Sequence, residues 1–127
     1  MSAVTAKRLL IVEDDEAILK LEAAILTDAG YAFEAVGTGE DALRALRRER
    51  FAAVLLDVGL PDTDGFKLAD RIRRDPELGN PYVIYLTAKA DVQSMQTGFT
   101  TGGVFYLTKP FTRAKLLDVV KAVAEMG

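Results

Sequence analysis

Three acidic side chains, a hydroxyl and an ammonium group each follow directly after a short apolar run of the sequence. Glu13 and Asp14 follow the first run, Asp57 the third, Thr87 the fourth and Lys109 the fifth. The runs have the length and composition of buried strands, and in an open α/β sheet ligands bind beyond the carboxyl ends of the strands. A single acid after a strand is usually a helix cap or a turn residue. Complementary chemistry at four of five strand ends favours one shared site.

The types of these side chains suit phosphoryl chemistry with a hard cation. Clustered carboxylates favour Mg²⁺ over Ca²⁺ when the protein offers only two or three oxygens, and they repel one another unless a cation or a lysine offsets them. Asp57 can act as a nucleophile toward phosphorus and form an acyl phosphate. Mg²⁺, Lys109 and the Thr87 hydroxyl would then neutralise and orient the phosphoryl oxygens.

Five apolar runs alternate with five helix-patterned segments along the chain. The predicted strands are residues 9–12, 31–36, 52–56, 82–86 and 104–108. Strict alternation of apolar strands with helices predicts an α/β fold, in which helices cover both faces of a parallel sheet. No linker or repeat interrupts the pattern, so we expect a single domain over residues 1–127, with its core in about 8–126.

Local signals position the helices. The apolar stripe of the first helix is predicted to comprise Ala17, Ile18, Leu21, Ala24 and Ile25. This helix should end at Gly30, and Thr38 and Thr112 are predicted to cap the second and fifth helices. Residues 90–101 have the poorest helix propensity of the five segments.

Composition excludes several other kinds of site. The chain contains no cysteine and no histidine, which removes disulfides, thiolate metal sites, a histidine general base and phosphohistidine. The net charge of −3 provides no global basic field for nucleic acid or anionic lipid. No apolar run approaches the roughly 18 residues of a membrane span. We interpret residues 1–7 as a frayed N-terminus without the apolar core of a signal peptide.

One local basic cluster comprises Arg44, Arg47, Arg48 and Arg50. It lies at the predicted C-terminus of the second helix, where cations complement the helix dipole. We interpret it as a solvated face of that helix.

Five sequence segments occur in an order and spacing that are specific in combination. They are Leu-Ile-Val-Glu-Asp-Asp at 10–15, Leu-Leu-Asp-Val-Gly-Leu-Pro at 55–61, Asp-Gly at 64–65, Leu-Thr-Ala at 86–88 and Tyr-Leu-Thr-Lys-Pro-Phe at 106–111. With these segments the chain resembles the receiver domains of two-component response regulators, from about residue 8 to residue 126. The resemblance implies a doubly wound, flavodoxin-like sheet of five parallel strands in the order 2-1-3-4-5.

The resemblance also implies roles at the phosphoryl and metal site. Asp57 corresponds to the phosphoacceptor. Asp14 and Asp57 correspond to direct Mg²⁺ ligands, the backbone carbonyl of Gly59 to a third ligand, and Glu13 to an acid that acts through water. Lys109 corresponds to the lysine that binds the phosphoryl group.

A second set of implied roles concerns switching. Thr87 corresponds to the hydroxyl that bonds the phosphoryl group, and Ala88 to the small residue that leaves room beside it. Tyr106 corresponds to an aromatic that turns inward when Thr87 moves toward the phosphate. The Lys109–Pro110 bond corresponds to a cis peptide. The implied output surface is the fourth helix, fifth strand and fifth helix.

The implied function is a signalling switch and not an enzyme with a separate substrate, since the chain would catalyse only its own phosphorylation and dephosphorylation. The donor would be a histidine kinase or a phosphotransfer protein, and the downstream effector is not identified. We expect a cytoplasmic location, no direct contact with nucleic acid or membrane, and a monomer or a weak phosphorylation-dependent dimer.

Two places depart from the family pattern. Many family members carry acidic residues where this chain has Val104 and Phe105, so either Phe105 packs against the fifth helix or Val104, Phe105 and Tyr106 form an apolar partner surface. Gly59 and Lys89 each lie two residues after a site residue, and neither can orient water as an amide or carboxylate would. This predicts a long-lived phosphorylated state.

Two neighbouring acids have structural interpretations, and other protein classes require residues that this chain lacks at the site. Asp62 is interpreted as a turn residue and Asp64 as the N-cap of the third helix. A phosphatase of the haloacid dehalogenase class would need an acid at Gly59. A flavodoxin-like nucleotide binder would need a phosphate-binding loop where Glu13 and Asp14 would repel phosphate. A pseudo-receiver, which keeps the fold as an interaction module without phosphorylation, is the remaining alternative.

Overall fold

The computed structural model describes residues 8–126, so the predicted frayed segment 1–7 lies outside the described residues. The elements in chain order are β1 Arg8–Val12, α1 Glu16–Asp28, β2 Ala32–Val36, α2 Gly39–Arg48, β3 Ala53–Leu56, α3 Gly65–Arg74, a short 3-10 helix Pro76–Leu78, β4 Tyr82–Thr87, α4 Val92–Thr100, β5 Gly103–Thr108 and α5 Arg113–Met126. The alternation of strands and helices is as predicted. Every helix within residues 8–126 is too short or too polar to cross a lipid bilayer.

The five strands form one parallel sheet in the order β2-β1-β3-β4-β5. This confirms the predicted doubly wound architecture. All four residues of β3 are buried, because helices cover both faces of the sheet at its centre. β2 lies at an edge and is only partly buried, which agrees with its weaker apolar pattern.

Two apolar layers hold the helices to the sheet. On one face, α2 and α3 pack through residues such as Leu46 and Ile72 against β1, β3 and β4. On the other face, α1 and α5 pack through Leu26, Leu116 and Val120. Because each layer contains residues from several strands, the packing fixes the relative positions of the carboxyl ends of those strands.

Side-chain caps begin the helices, and those at Thr38, Asp64 and Thr112 are the ones that the sequence predicted. Thr38 and Thr112 each accept a hydrogen bond from the backbone amide three residues further on. Asp64 accepts one from the Phe66 amide at 2.7 Å, and Asp15 caps the first turn of α1. These caps satisfy amides that have no partner within the helix, so they define where each loop after a strand ends.

The buried stripe of α1 differs from the prediction. Leu21 is 46% exposed, whereas its neighbour Glu22 is 1% exposed, and Ala17 and Ala24 are also exposed. The helix is rotated so that Ile25 and Leu26 face the sheet, and Glu22 lies on that same face one turn earlier. The prediction was correct for Ile25. It was wrong for Leu21, Ala17 and Ala24, because it assigned the inward face by apolarity alone and Glu22 interrupts the true stripe.

The strand β5 carries an irregularity that explains its unusual sequence. Gly103 pairs with Val83 and Phe105 with Ile84, so Val104 is an extra residue that forms a bulge. Val104 and Phe105 both pack against the core layer of α1 and α5. A Cβ on Gly103 would lie 2.5 Å from the Tyr85 ring, so glycine is required there. Phe105 therefore packs within its own domain, which is the first of the two alternatives that the sequence left open.

Replacing Phe105 with Asp should destabilise the fold, because the change removes a half-buried ring and places a charge against the core. We expect the free energy of unfolding to fall by about 2 kcal/mol or more. Phe99→Asp is the matched control, since Phe99 is 51% exposed, and it should change stability by only about 0.5 kcal/mol. Urea denaturation measures both. Equal midpoints for Phe105→Asp and wild type would contradict the packing role and favour a partner surface.

Candidate functional site

The ends of β1 and β3 bring the three predicted carboxylates together. The backbone amide of Asp57 donates to the carbonyl of Val12 at 3.2 Å, which extends the pairing of the two strands past their ends. Glu13, Asp14 and Asp57 each offer a carboxylate oxygen, and these oxygens lie within 4.8 Å of one another. The structure thus confirms the predicted convergence of acids at the edge of the sheet.

Lys109 joins this cluster from the end of β5. Its Nζ lies 2.6 Å from Glu13 Oε1 and 3.3 Å from Asp57 Oδ2. The backbone amide of Lys109 donates to the Thr87 carbonyl at 2.9 Å, which fixes the ends of β4 and β5 side by side. The Lys109–Pro110 bond is cis, as predicted.

The protonation states of Lys109 and Glu13 depend on each other. Burial raises the pKa of Glu13, and the hydrogen bond from Lys109 opposes this effect. Burial acts to lower the pKa of Lys109, but the hydrogen bond with Glu13 and the charge of Asp57 outweigh it, and the pKa is raised. Lys109 therefore stays cationic at neutral pH and offsets part of the negative charge of the acids.

Two glycines shape the loop that carries Asp57. A Cβ on Gly65 would lie 2.4 Å from the backbone oxygen of Asp57, so only glycine lets α3 begin this close to the strand end. The amide of Gly65 donates to the Val58 carbonyl at 2.8 Å. The amide of Gly59 donates to Asp57 Oδ1 at 3.3 Å. The predicted Asp64-Gly65 motif thus has a steric cause.

The donor set fits Mg²⁺. It consists of carboxylate oxygens only, it is open to solvent at Asp14, and its net charge is negative because one lysine faces three acids. Glu13 is 2% exposed and engaged with Lys109, which suits an acid that acts through water more than one bound directly to the ion. Asp14 and Asp57 would hold the ion. The Gly59 carbonyl stays a predicted ligand.

A chain of hydrogen bonds links Thr87 to Tyr106 through the backbone of Lys89. The Lys89 amide donates to Thr87 Oγ1 at 3.3 Å, and the Tyr106 hydroxyl donates to the Lys89 carbonyl at 2.6 Å. The Tyr106 ring lies 5.7 Å from the Tyr85 ring and 6.4 Å from the Phe99 ring, centroid to centroid. The two predicted switch residues therefore share one loop, and their contact with it runs through main-chain atoms.

Comparison with known proteins decides the family. The family model for the response regulator receiver domain matches residues 9–121. The chain belongs to the receiver domain family of response regulators.

Relatives and solved structures agree with this assignment. The transcriptional regulatory protein GltR of Pseudomonas aeruginosa is 38% identical over 123 residues, which is 97% of this chain and 50% of GltR. The receiver domain therefore spans about half the length of that relative.

Two solved structures show the same fold. A CheY-like receiver domain protein from Methanospirillum hungatei JF-1 has a TM-score of 0.86 at 29% identity, covering 97% of this chain and 100% of its own. The receiver domain of the Pseudomonas aeruginosa sensor histidine kinase PA1611 has a TM-score of 0.84 at 31% identity, covering 93% and 97%. That structure has a magnesium ion coordinated in its active site cleft.

Glu22 is a titratable group near the site that the sequence reasoning missed. Burial, and next the charge of Glu13, raise the pKa of Glu22 to about 8. Its Oε2 is buried and has no hydrogen-bond partner among the described residues. The sequence spacing could have indicated that Glu22 faces inward. Glu22 lies four residues after Ile18 and four before Leu26, so the three side chains share one face of the helix. Glu22 is neutral at neutral pH and adds no charge to the acid cluster.

Glu22 should make stability depend on pH. In the unfolded chain Glu22 ionises near its ordinary pKa of 4.5, whereas in the fold it keeps its proton up to about pH 8. The unfolded state therefore binds fewer protons in this window, and stability falls as pH rises through it. Glu22→Gln removes this contribution, so the variant should be more stable than wild type by roughly 2–4 kcal/mol at pH 7.5 and similar to it near pH 4.5.

Chemical denaturation at a series of pH values, without divalent cations, measures this difference. Glu16→Gln is the matched control, because Glu16 lies exposed in the same helix. A constant stability difference between wild type and Glu22→Gln from pH 4.5 to pH 8 would contradict a buried neutral Glu22.

Proposed function

We propose that this receiver domain is a phosphoacceptor switch in which Asp57 receives a phosphoryl group. The observation that carries the proposal is the contact of Lys109 Nζ with both Glu13 and Asp57. Such a lysine offsets the charge of Asp57 before reaction and is placed to offset the phosphoryl oxygens afterwards. The intact set of acids, hydroxyl and lysine speaks against the pseudo-receiver alternative.

Phosphoryl transfer requires an oxygen of Asp57 to attack phosphorus while the bond from phosphorus to the donor breaks. A carboxylate nucleophile needs no general base, because it carries no proton to remove. Mg²⁺ bound by Asp14 and Asp57 would supply positive charge to the transferring group. Lys109 would hold one phosphoryl oxygen as an ion pair, and the Thr87 hydroxyl would donate to another.

The movement of Thr87 would carry the signal away from the site. Thr87 Oγ1 accepts a hydrogen bond from the Lys89 amide. If the Thr87 side chain turned to the phosphoryl group, this hydrogen bond from Lys89 would break and the loop after β4 would rearrange. Tyr106 is bound to the carbonyl of the same residue, and it would follow. The output surface would then be α4, β5 and α5, where Val92 and Phe99 are exposed.

The partners follow from the proposed chemistry. The phosphoryl donor would be a histidine kinase or a phosphotransfer protein, since this chain contains no histidine. The name of GltR describes a transcriptional regulator, so the downstream effector of this protein would be a regulatory protein or domain. The receiver domain would form one folding unit and act on no separate substrate. It would contact neither nucleic acid nor membrane. It would work in the cytoplasm as a monomer or weak dimer.

Exposure to a small acyl phosphate with Mg²⁺, followed by intact mass spectrometry, tests the phosphoacceptor. Wild type should gain the mass of one phosphoryl group. Asp57→Asn should gain none, because the amide cannot act as the nucleophile. Asp118→Asn, which changes an exposed acid of α5, is the control and should gain the group like wild type. Phosphorylation of Asp57→Asn to the wild-type extent would overturn the assignment.

Lys89 should lengthen the life of the phosphorylated state. The side chain is exposed beside the site, and neither Lys89 nor Gly59 offers a carboxylate or amide to orient an attacking water. Lys89→Asn should therefore lose its phosphoryl group faster, by about 2- to 10-fold. The loss of phosphoprotein mass with time, after removal of the donor, measures the lifetime. A wild type that decays faster than Lys89→Asn would refute the prediction.

A further inference from the structure

A cleft separates α2 from α3 on the face of the molecule opposite α1 and α5. Its volume is about 560 Å³, and it is open to solvent, because most of its lining side chains are exposed. Leu43 and Leu68 line it, and both side chains are buried. The cleft lies outside the phosphoryl site and the output surface, and no role in the proposed switch depends on it.

Three unpaired cations line this cleft. Arg47 comes from α2, and Lys67 and Arg71 come from α3; within residues 8–126 none of them has an acidic side chain at ion-pair distance. The other arginines of the two helices are engaged, such as Arg74 with Asp70 at 2.8 Å. The four arginines of the predicted solvated face are all exposed, as expected, and α3 adds Lys67 and Arg71 beside Arg47.

The acids at the rim of the cleft are already bound. Glu40 pairs with Arg44 at 2.8 Å. Asp62 accepts hydrogen bonds from the backbone amides of Gly39 at 2.8 Å and Glu40 at 3.0 Å, which lower its pKa. These carboxylates do not reach the three cations, so the interior of the cleft keeps a net positive charge.

The chemistry of the lining matches a phosphate group, because, within residues 8–126, its accessible side chains that are not already bound are cations. Guanidinium groups bind phosphate through paired hydrogen bonds, and the buried Leu43 and Leu68 expose too little surface to hold a base or ring. The three cations are exposed and come from two helices around one groove, which suits a compact anion that all three can contact. We propose that the α2–α3 cleft binds a diphosphate group, free or within a nucleotide, through Arg47, Lys67 and Arg71.

Calorimetric titration with adenosine diphosphate, pyrophosphate and adenosine tests the proposal. The full chain is used at low salt with a chelator, because without a divalent cation the acids of the phosphoryl site repel the probes. We expect saturable binding of adenosine diphosphate and of pyrophosphate with similar affinity, and none of adenosine. The double variant Arg47→Gln/Arg71→Gln should weaken binding at least about 10-fold, since two charge-assisted contacts are lost.

The control Arg74→Gln/Lys121→Gln removes the same net charge outside the cleft and should leave the affinity within about twofold. No saturable binding of either phosphate probe would overturn the proposal. An equal loss of affinity in both double variants would also overturn it, because it would show attraction to overall charge only. Adenosine binding as tightly as the diphosphate would refute recognition through phosphate. None of these outcomes depends on phosphorylation of Asp57.

Discussion

The ammonium group of Lys109, placed between Glu13 and Asp57, is the interaction on which the site depends. Three carboxylates within 4.8 Å of one another would repel strongly without it. Glu22, buried behind the cluster, stays uncharged, so the surplus of negative charge is small enough for the fold to tolerate. That surplus would attract the divalent cation of the proposed reaction, and the same lysine would be in place for the phosphoryl oxygens.

Close packing of the backbone fixes the positions of these charged groups. The absence of a side chain at Gly65 brings the start of α3 against Asp57, and the absence of one at Gly103 makes room for Tyr85 beside Tyr106. Thr87 and Tyr106 contact the main chain of Lys89 from opposite sides. A change of charge at the strand ends can therefore reach an exposed aromatic surface through a single loop.

Sequence reasoning predicted what depends on local pattern. Strand ends, caps such as Thr38 and the cluster of Asp14, Asp57 and Lys109 follow from apolar periodicity and from the geometry of parallel sheets. It was wrong about the inward face of α1, because the cost of burying Glu22 argues against the orientation that the tertiary structure adopts. The sequence pattern also could not predict the bulge at Val104 or the cleft between α2 and α3, since both depend on how separate elements pack together.

The nuclear magnetic resonance spectrum of the phosphorylated chain tests the central claim most directly, which is that charge at Asp57 is transmitted through Thr87 and Lys89 to Tyr106. Spectra are compared with and without acyl phosphate in the presence of Mg²⁺, with Asp57→Asn as the reference. The account predicts that phosphorylation shifts the Lys89 amide and the Tyr106 ring signals, and that neither moves in Asp57→Asn. A chain that carries the phosphoryl group on Asp57 while both signals stay unchanged would contradict it.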